Sequence, residues 1–132
     1  MKIYAVDFDK TLNLAEKYPQ LGEPNMRLIG YLSARQQAGD KIILWTCREG
    51  ALLKSAVKFC KRYGLEFDAV NDNLRENIEH FNNNCRKVCA DYYIDDRNMG
   101  FWNLPLNALP KPQVEERMGI AEYIMRRFAK TE

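Results

Sequence analysis

The sequence lacks a long hydrophobic run, a signal-peptide pattern and a strong excess of charge of either sign. No apolar stretch approaches the length of a membrane span, and the N-terminus passes directly into a short strand pattern. The 20 Lys and Arg residues nearly balance the 18 Asp and Glu residues, so the net charge of +2 does not indicate a nucleic-acid surface. We therefore expect a cytoplasmic protein without membrane contact, and nucleic acid is left open as a partner that charge does not indicate.

The sequence also has few residues that could bind zinc or form a disulfide framework. Cys47, Cys60, Cys85 and Cys89 match no zinc signature, and His80 is the single histidine. A thiolate phosphatase would require a Cys-x5-Arg loop, but the residue at that distance from Cys47 is leucine. The cysteines are therefore expected to be reduced thiols.

The 132 residues are sufficient for one domain, predicted to span residues 1–132. Apolar patterns predict strands over 3–6, 41–46, 67–70 and 88–94 and helices over 24–38, 52–64 and 114–128. The polar stretch 71–84 is compatible with a weak helix or a loop. This alternation predicts an α/β domain with a parallel sheet and helices on both faces.

Asp7 and Asp9 follow the first predicted strand directly. Two carboxylates so close together repel each other, and each is costly to desolvate, unless they surround a cation or an electrophilic substrate. One carboxylate can attack phosphorus while the other transfers protons. Asp7 and Asp9 are therefore predicted to be catalytic residues, and capping of the following turn is the alternative.

Other polar residues follow later strands, and the carboxyl ends of parallel strands share one sheet edge. Asp95 and Asp96 follow the strand predicted over 88–94 and, with Asp7 and Asp9, are predicted to bind Mg²⁺. The Thr46 hydroxyl and the backbone N–H of Cys47 are predicted to bind phosphate.

A cation is also needed beside the phosphate. Lys87, Lys54 and Arg86 are the candidates, and spacing alone does not choose among them.

The run Asp7-Phe8-Asp9-Lys10-Thr11 resembles the first motif of the haloacid dehalogenase (HAD) superfamily, Asp-x-Asp-x-Thr. Thr46 resembles the second motif, Lys87 fits the order of the third, and the pair Asp95-Asp96 resembles the fourth. The resemblance covers residues 3 to 96. It implies a three-layer Rossmann-like sheet.

The resemblance also implies roles for these residues. Asp7 would be the nucleophile that forms an aspartyl-phosphate, and Asp9 would protonate the leaving oxygen and then activate water. Mg²⁺ would be held by Asp7, the backbone carbonyl of Asp9, and one of the two later aspartates. Thr46 and Lys87 would hold the phosphoryl group. Because Lys87 lies only eight residues before the acidic pair, Lys54 and Arg86 stay open.

The intervals between motifs are too short for a full cap domain. Residues 11–41 allow a flap and one helix, and residues 47–86 allow a helix, a short strand and a loop. A small capless HAD-like phosphatase is therefore expected, acting on phosphomonoesters with Mg²⁺. An open site suits a large or extended phosphorylated substrate, or a neighbouring subunit that acts as a lid, so an oligomer is left open.

Two other functions are compatible with parts of the pattern. A receiver-like phospho-aspartate signalling module uses acidic residues, Mg²⁺, Thr and Lys, although its motif order differs. A polynucleotide end phosphatase would use the same chemistry on an extended substrate, and its binding would weaken steeply with salt.

Overall fold

The computed structural model describes residues 1–99. These residues form four strands and three helices, and the sheet is parallel with strand order β3-β2-β1-β4. In chain order the elements are β1 (Ile3–Val6), α1 (Met26–Gln37), β2 (Lys41–Leu44), α2 (Gly50–Arg62), β3 (Ala69–Val70), α3 (Arg75–Phe81) and β4 (Tyr92–Ile94). The predicted α/β, Rossmann-like fold class is confirmed, whereas the helix predicted over 114–128 lies outside the described residues.

The sheet has an apolar cluster on each face because alternate residues of its strands point to opposite sides. Tyr4 and Val6 of β1 join residues of α1 and α2 on one face, where Leu32 and Phe59 are buried. On the other face, Ile3, Ala5 and Ile43 pack with Leu74, which precedes α3, and with Val88.

The helix predicted from residue 24 begins at Met26. Asn25 is its N-cap, because its side chain accepts a hydrogen bond from the Leu28 N–H at 3.2 Å. Pro24, predicted in the first helical turn, instead forms an isolated bridge with Asn13.

Three of the four strands are shorter than predicted, and β1 matches its prediction. β2 ends at Leu44 rather than at Thr46, because the Thr46 N–H donates to the side chain of Asn71. The strand predicted over 88–94 begins at Tyr92, and the Cys89 N–H upstream of it donates to the side chain of Asn73. At these strand ends, side-chain acceptors have therefore replaced the backbone hydrogen bonds between neighbouring strands.

Two remaining predictions also differ from the structure in their bounds. β3 covers only Ala69–Val70 of the strand predicted over 67–70. The ambiguous stretch 71–84 contains the short helix α3, whose C-cap Asn82 has the left-handed conformation (φ +50°).

The end of β1 is a switch point of the sheet, because the strand order reverses direction there. From β1, the chain builds outward through β2 and β3 on one side, and β4 then pairs with the other side of β1. Ligands of open α/β sheets bind at such a switch point, beyond the carboxyl ends of the strands. None of the helices in the described part of the chain is long and apolar enough to span a bilayer.

Candidate active site

A cavity of about 330 Å³ opens beside the carboxyl ends of β1, β2 and β4. Six of its lining residues are those predicted from sequence: Asp7, Asp9, Thr46, Cys47, Asp95 and Asp96. The remaining lining residues are Lys10, Ala15, Glu16, Tyr18 and Arg97. Residues from three separate parts of the chain therefore meet at the switch point.

Asp7, Asp95 and Asp96 form an acidic triad, the name used below for these three carboxylates. One carboxylate oxygen from each lies within 4.8 Å of the others. The pKa of Asp7 is raised from 3.8 to about 6, chiefly by burial and also by Asp95 and Asp96, against the opposing hydrogen bond from Thr11. The arrangement concentrates negative charge where β1 and β4 end.

Thr11 joins the two strand ends that carry the triad. Its hydroxyl donates to Asp7 Oδ2 at 2.9 Å and accepts from the Asp96 backbone N–H at 3.1 Å. Thr11 is buried, so these two bonds hold the hydroxyl in one orientation. The carboxylate of Asp7 is thereby fixed relative to the turn that follows β4.

The Asp9 carboxylate does not join the triad, because it is bound to Arg48. Arg48 Nε donates to Asp9 Oδ2 at 2.9 Å, and Nη2 donates to Oδ1 at 2.7 Å. The hydrogen bonds that Arg48 donates to Asp9 raise the pKa of Arg48 above its usual range, against the effect of burial. The metal ligand that the HAD resemblance implies at Asp9 is its backbone carbonyl, which this pair leaves unengaged.

Thr46 and Cys47 lie on the β2 side of the cavity. The Thr46 hydroxyl oxygen accepts from the Arg48 N–H at 3.1 Å, so its own proton remains able to point into the cavity. The side chain of Cys47 is exposed. Both residues are therefore close to the acidic groups, as the sequence predicted.

The three cations proposed from sequence are absent from the described lining of this cavity. Lys87 Nζ instead lies 5.1 Å from the centre of the Tyr93 ring. Lys10 and Arg97 are the lining residues whose positive charge is free of a carboxylate partner among residues 1–99.

A flap formed by residues 13–23 covers one side of the cavity. Asn13 organises it: its side-chain oxygen accepts from the Ala15 and Gly22 N–H groups, and its amide donates to the Gln20 carbonyl. Asn13 is 1% exposed, so these bonds are shielded from water. The flap is thereby closed on itself without a regular helix or strand.

Sequence reasoning missed several residues of the site. Arg48 has no place in the sequence analysis, because nothing in the sequence distinguishes it from a solvated arginine. Thr11 was recognised within the motif but was given no role of its own. Tyr18 and Glu16 could have been suspected, because the loop that follows Asp9 must pass beside it.

Together the sheet and the cavity define a Rossmann-like α/β domain with an acidic site at its switch point. Comparison with protein-family models gave no match, and neither did comparison with curated proteins. A solved structure of a conserved protein from Bacteroides thetaiotaomicron is similar: it shares 42% identity and a TM-score of 0.63 over 74% of this chain and 77% of that one. The chain belongs to the same family as this conserved Bacteroides protein.

Proposed function

We propose that this chain is a Mg²⁺-dependent phosphomonoester hydrolase of the HAD type, which acts through an aspartyl-phosphate on Asp7. The observation that carries the proposal is the acidic triad beside the end of β1, within a cavity also lined by Thr46 and Cys47. Residues 1–99 contain a flap but no full cap domain, which is what a small capless HAD-like phosphatase would have.

The triad fits a divalent cation in its chemistry and in its dimensions. Mg²⁺ prefers oxygen ligands at about 2.1 Å, so two oxygens on one ion are at most about 4.2 Å apart. The triad oxygens lie within 4.8 Å of one another, so small side-chain rotations suffice to bring them together. Asp7, one of the two later aspartates and the Asp9 carbonyl would hold the ion, which would neutralise phosphate charge when bound.

The chain's own residues supply the two chemical steps. The Asp7 carboxylate attacks phosphorus, and the bond between phosphorus and the leaving oxygen breaks. Asp9, two residues further along the turn, donates a proton to the leaving oxygen. Its carboxylate then takes a proton from the water that attacks phosphorus, which breaks the bond between Asp7 and phosphorus, releases inorganic phosphate and restores both aspartates. The Thr46 hydroxyl and the Cys47 N–H donate hydrogen bonds to phosphoryl oxygens. Such preorganised donors stabilise the charge that develops in a transition state.

Strand order supports this proposal over the receiver-like alternative. In a receiver domain, β1 lies between β2 and β3. Here β1 lies between β2 and β4, and β3 is at the far edge of the sheet. The acidic groups then come from the ends of β1 and β4, which matches the motif order of a HAD phosphatase.

The proposal is tested by release of phosphate from p-nitrophenyl phosphate and a panel of phosphometabolites, with and without Mg²⁺. We expect turnover that requires Mg²⁺ and disappears in Asp7→Asn. A folded wild-type protein without turnover on any substrate would overturn the proposal, and a phospho-protein stable for minutes after treatment with acetyl phosphate would favour the receiver alternative.

The polynucleotide end phosphatase alternative has its own test, because contacts with nucleic-acid phosphates release counterions. Oligonucleotides bearing a terminal phosphate should then bind with an affinity that falls steeply between 50 and 200 mM salt, on the order of 10³-fold or more. Salt-independent binding, or turnover of small phosphometabolites alone, would exclude it.

A further inference from the structure

Arg48 is a buried cation with every polar group directed at protein rather than at the cavity. It is 1% exposed and is absent from the residues that line the cavity. Besides its two bonds to Asp9, Nη2 donates to the Pro19 carbonyl at 3.0 Å, and Nη1 lies 3.4 Å from the Leu52 carbonyl. Burial of a guanidinium is costly unless its hydrogen bonds are satisfied, so this position calls for an explanation.

The contacts of Arg48 join three segments that are separate in the chain. Asp9 belongs to the turn after β1, Pro19 to the flap, and Leu52 to the first turn of α2. The guanidinium carbon also lies 4.8 Å from the centre of the Phe8 ring and 5.2 Å from that of Tyr18. The planar cation is therefore in contact with two rings as well as with its hydrogen-bond partners.

The two neighbouring N–H groups of Arg48, at Nε and Nη2, determine the orientation of the Asp9 carboxylate. A bidentate pair requires the carboxylate and the guanidinium to lie near one plane, which a single hydrogen bond or a lysine would not impose. The 2.7 and 2.9 Å distances are those of charge-assisted bonds. Small misplacements of a reacting group can reduce a rate by about 100-fold, so this constraint is relevant to catalysis.

We propose that Arg48 is a positioning residue, which fixes the Asp9 carboxylate and the adjoining flap in the geometry that phosphate turnover requires. This inference rests on the proposed function, because Asp9 must act in turnover for its orientation to matter. Arg48 itself does not line the cavity in which substrate and metal would bind.

A double-mutant cycle separates this role from a purely structural one. We expect Arg48→Met to lower kcat by about 100-fold with little change in KM, comparable to Asp9→Asn, because both remove the oriented carboxylate. The Asp9→Asn/Arg48→Met double variant should then be no slower than Asp9→Asn alone, since residues that act as a unit are not additive. If the kcat losses of the two single variants multiply in the double variant, the inference is overturned.

Arg35 provides a matched control. It also pairs with a buried aspartate, with Nε 2.7 Å from Asp40 Oδ2, but neither residue lines the cavity. Arg35→Met should lower the midpoint of thermal unfolding while kcat per folded molecule stays unchanged. If Arg35→Met and Arg48→Met reduce kcat equally, Arg48 has no special positioning role.

Folding and activity failures are distinguished by further measurements. If Arg48→Met does not fold, Arg48→Lys is the second variant, because it keeps the charge but loses the two-point contact with Asp9. Its kcat should still fall at least tenfold. A wild-type kcat in Arg48→Lys would overturn the inference. If neither variant folds, a slowly exchanging Arg48 Nε–H signal in native protein with Mg²⁺ and beryllofluoride supports it, and a rapidly exchanging one overturns it. If wild-type protein lacks phosphatase activity, the proposed function fails and this inference fails with it, whereas multiplying effects in an active enzyme refute only the inference.

Discussion

Thr11 accepts a hydrogen bond from the backbone N–H of Asp96 at 3.1 Å, although the two residues are 85 positions apart in the chain. The same hydroxyl donates to Asp7 Oδ2 at 2.9 Å. One buried side chain therefore sets the spacing between the proposed nucleophile and the acidic pair. It aligns two strand ends that only the folded sheet brings together.

The first prediction concerns Thr11. Replacement of Thr11 by Val keeps the shape but removes both hydrogen bonds, so the free energy of unfolding should fall by about 1–3 kcal/mol. The affinity for Mg²⁺ should fall by about 10–100-fold, because groups that orient metal ligands contribute that much. Urea unfolding and calorimetric titration with Mg²⁺ measure the two effects.

Thr11→Ser is the matched control, since it keeps the hydroxyl and removes only a methyl group. It should retain Mg²⁺ affinity within about threefold, well short of the loss expected for a missing orienting group. Equal Mg²⁺ affinity in the Ser and Val variants would show that the hydroxyl does not align the triad.

The second prediction concerns the charge of the triad. Without metal, Asp7→Asn should be as stable as wild type or more stable by roughly 1 kcal/mol at pH 7, because it removes a partly desolvated charge that solvent also screens. Mg²⁺ at 100 times its dissociation constant should stabilise wild type by about 2.7 kcal/mol and Asp7→Asn by much less. Thermal unfolding with and without Mg²⁺ measures this.

Glu66→Gln is a suitable control, because Glu66 is an exposed acid whose carboxylate pairs with Lys61. It should respond to Mg²⁺ as wild type does. If Mg²⁺ stabilises Asp7→Asn and Asp95→Asn as much as it stabilises wild type, the ion does not bind at the triad.

The third prediction concerns the cation that holds the phosphate. Lys10 and Arg97 line the cavity, whereas Lys87 lies against the Tyr93 ring. We expect Lys10→Met or Arg97→Met to raise KM for p-nitrophenyl phosphate roughly tenfold, the effect of one lost hydrogen bond to a charged group. Lys87→Met should change KM by less, and a larger effect there would restore Lys87 as the phosphate ligand.

The fourth prediction concerns the flap. Asn13→Ala removes the three hydrogen bonds that close it, so the free energy of unfolding should fall by about 1–3 kcal/mol and trypsin should cleave after Lys17 faster. Mass spectrometry of timed digests measures the cleavage.

Gln20→Ala is the control for the flap, because Asn13 bonds the backbone oxygen of Gln20, which this substitution leaves in place. Its cleavage rate should match that of wild type. Equal cleavage of Asn13→Ala and Gln20→Ala would contradict the role assigned to Asn13.

The fifth prediction concerns pH and Asp40. The backbone N–H of Lys2, and then Arg35, hold the pKa of Asp40 below its usual value of 3.8. A lowered pKa in the folded state contributes stability above the unfolded pKa and loses it as pH falls. The stability difference between wild type and Asp40→Asn should therefore be largest above about pH 4 and shrink below it. Urea unfolding from pH 3 to 7 tests this, and a constant difference would contradict it.

The sequence predicted the parts of this protein that depend on local patterns. The buried runs of β1 and β2 and the acidic residues after β1 and β4 were readable, because period and strand-end position are local properties. Strand bounds were less accurate, since Asn71 and Asn73 supply side-chain acceptors from distant positions. Arg48 could not be recognised, because its burial depends on Asp9, Pro19 and Leu52 meeting in three dimensions.

The triad draws one member from the seventh residue and two from positions 95 and 96. During synthesis, the nascent chain passes through an intermediate in which the residues of β1, β2 and β3 have left the ribosome before the last two carboxylates. Such an intermediate carries the nucleophile but cannot yet hold the divalent ion. Metal capture would therefore report that β4 has docked beside β1, and fragments that end before β4 should neither be stabilised by Mg²⁺ nor react with phosphate esters.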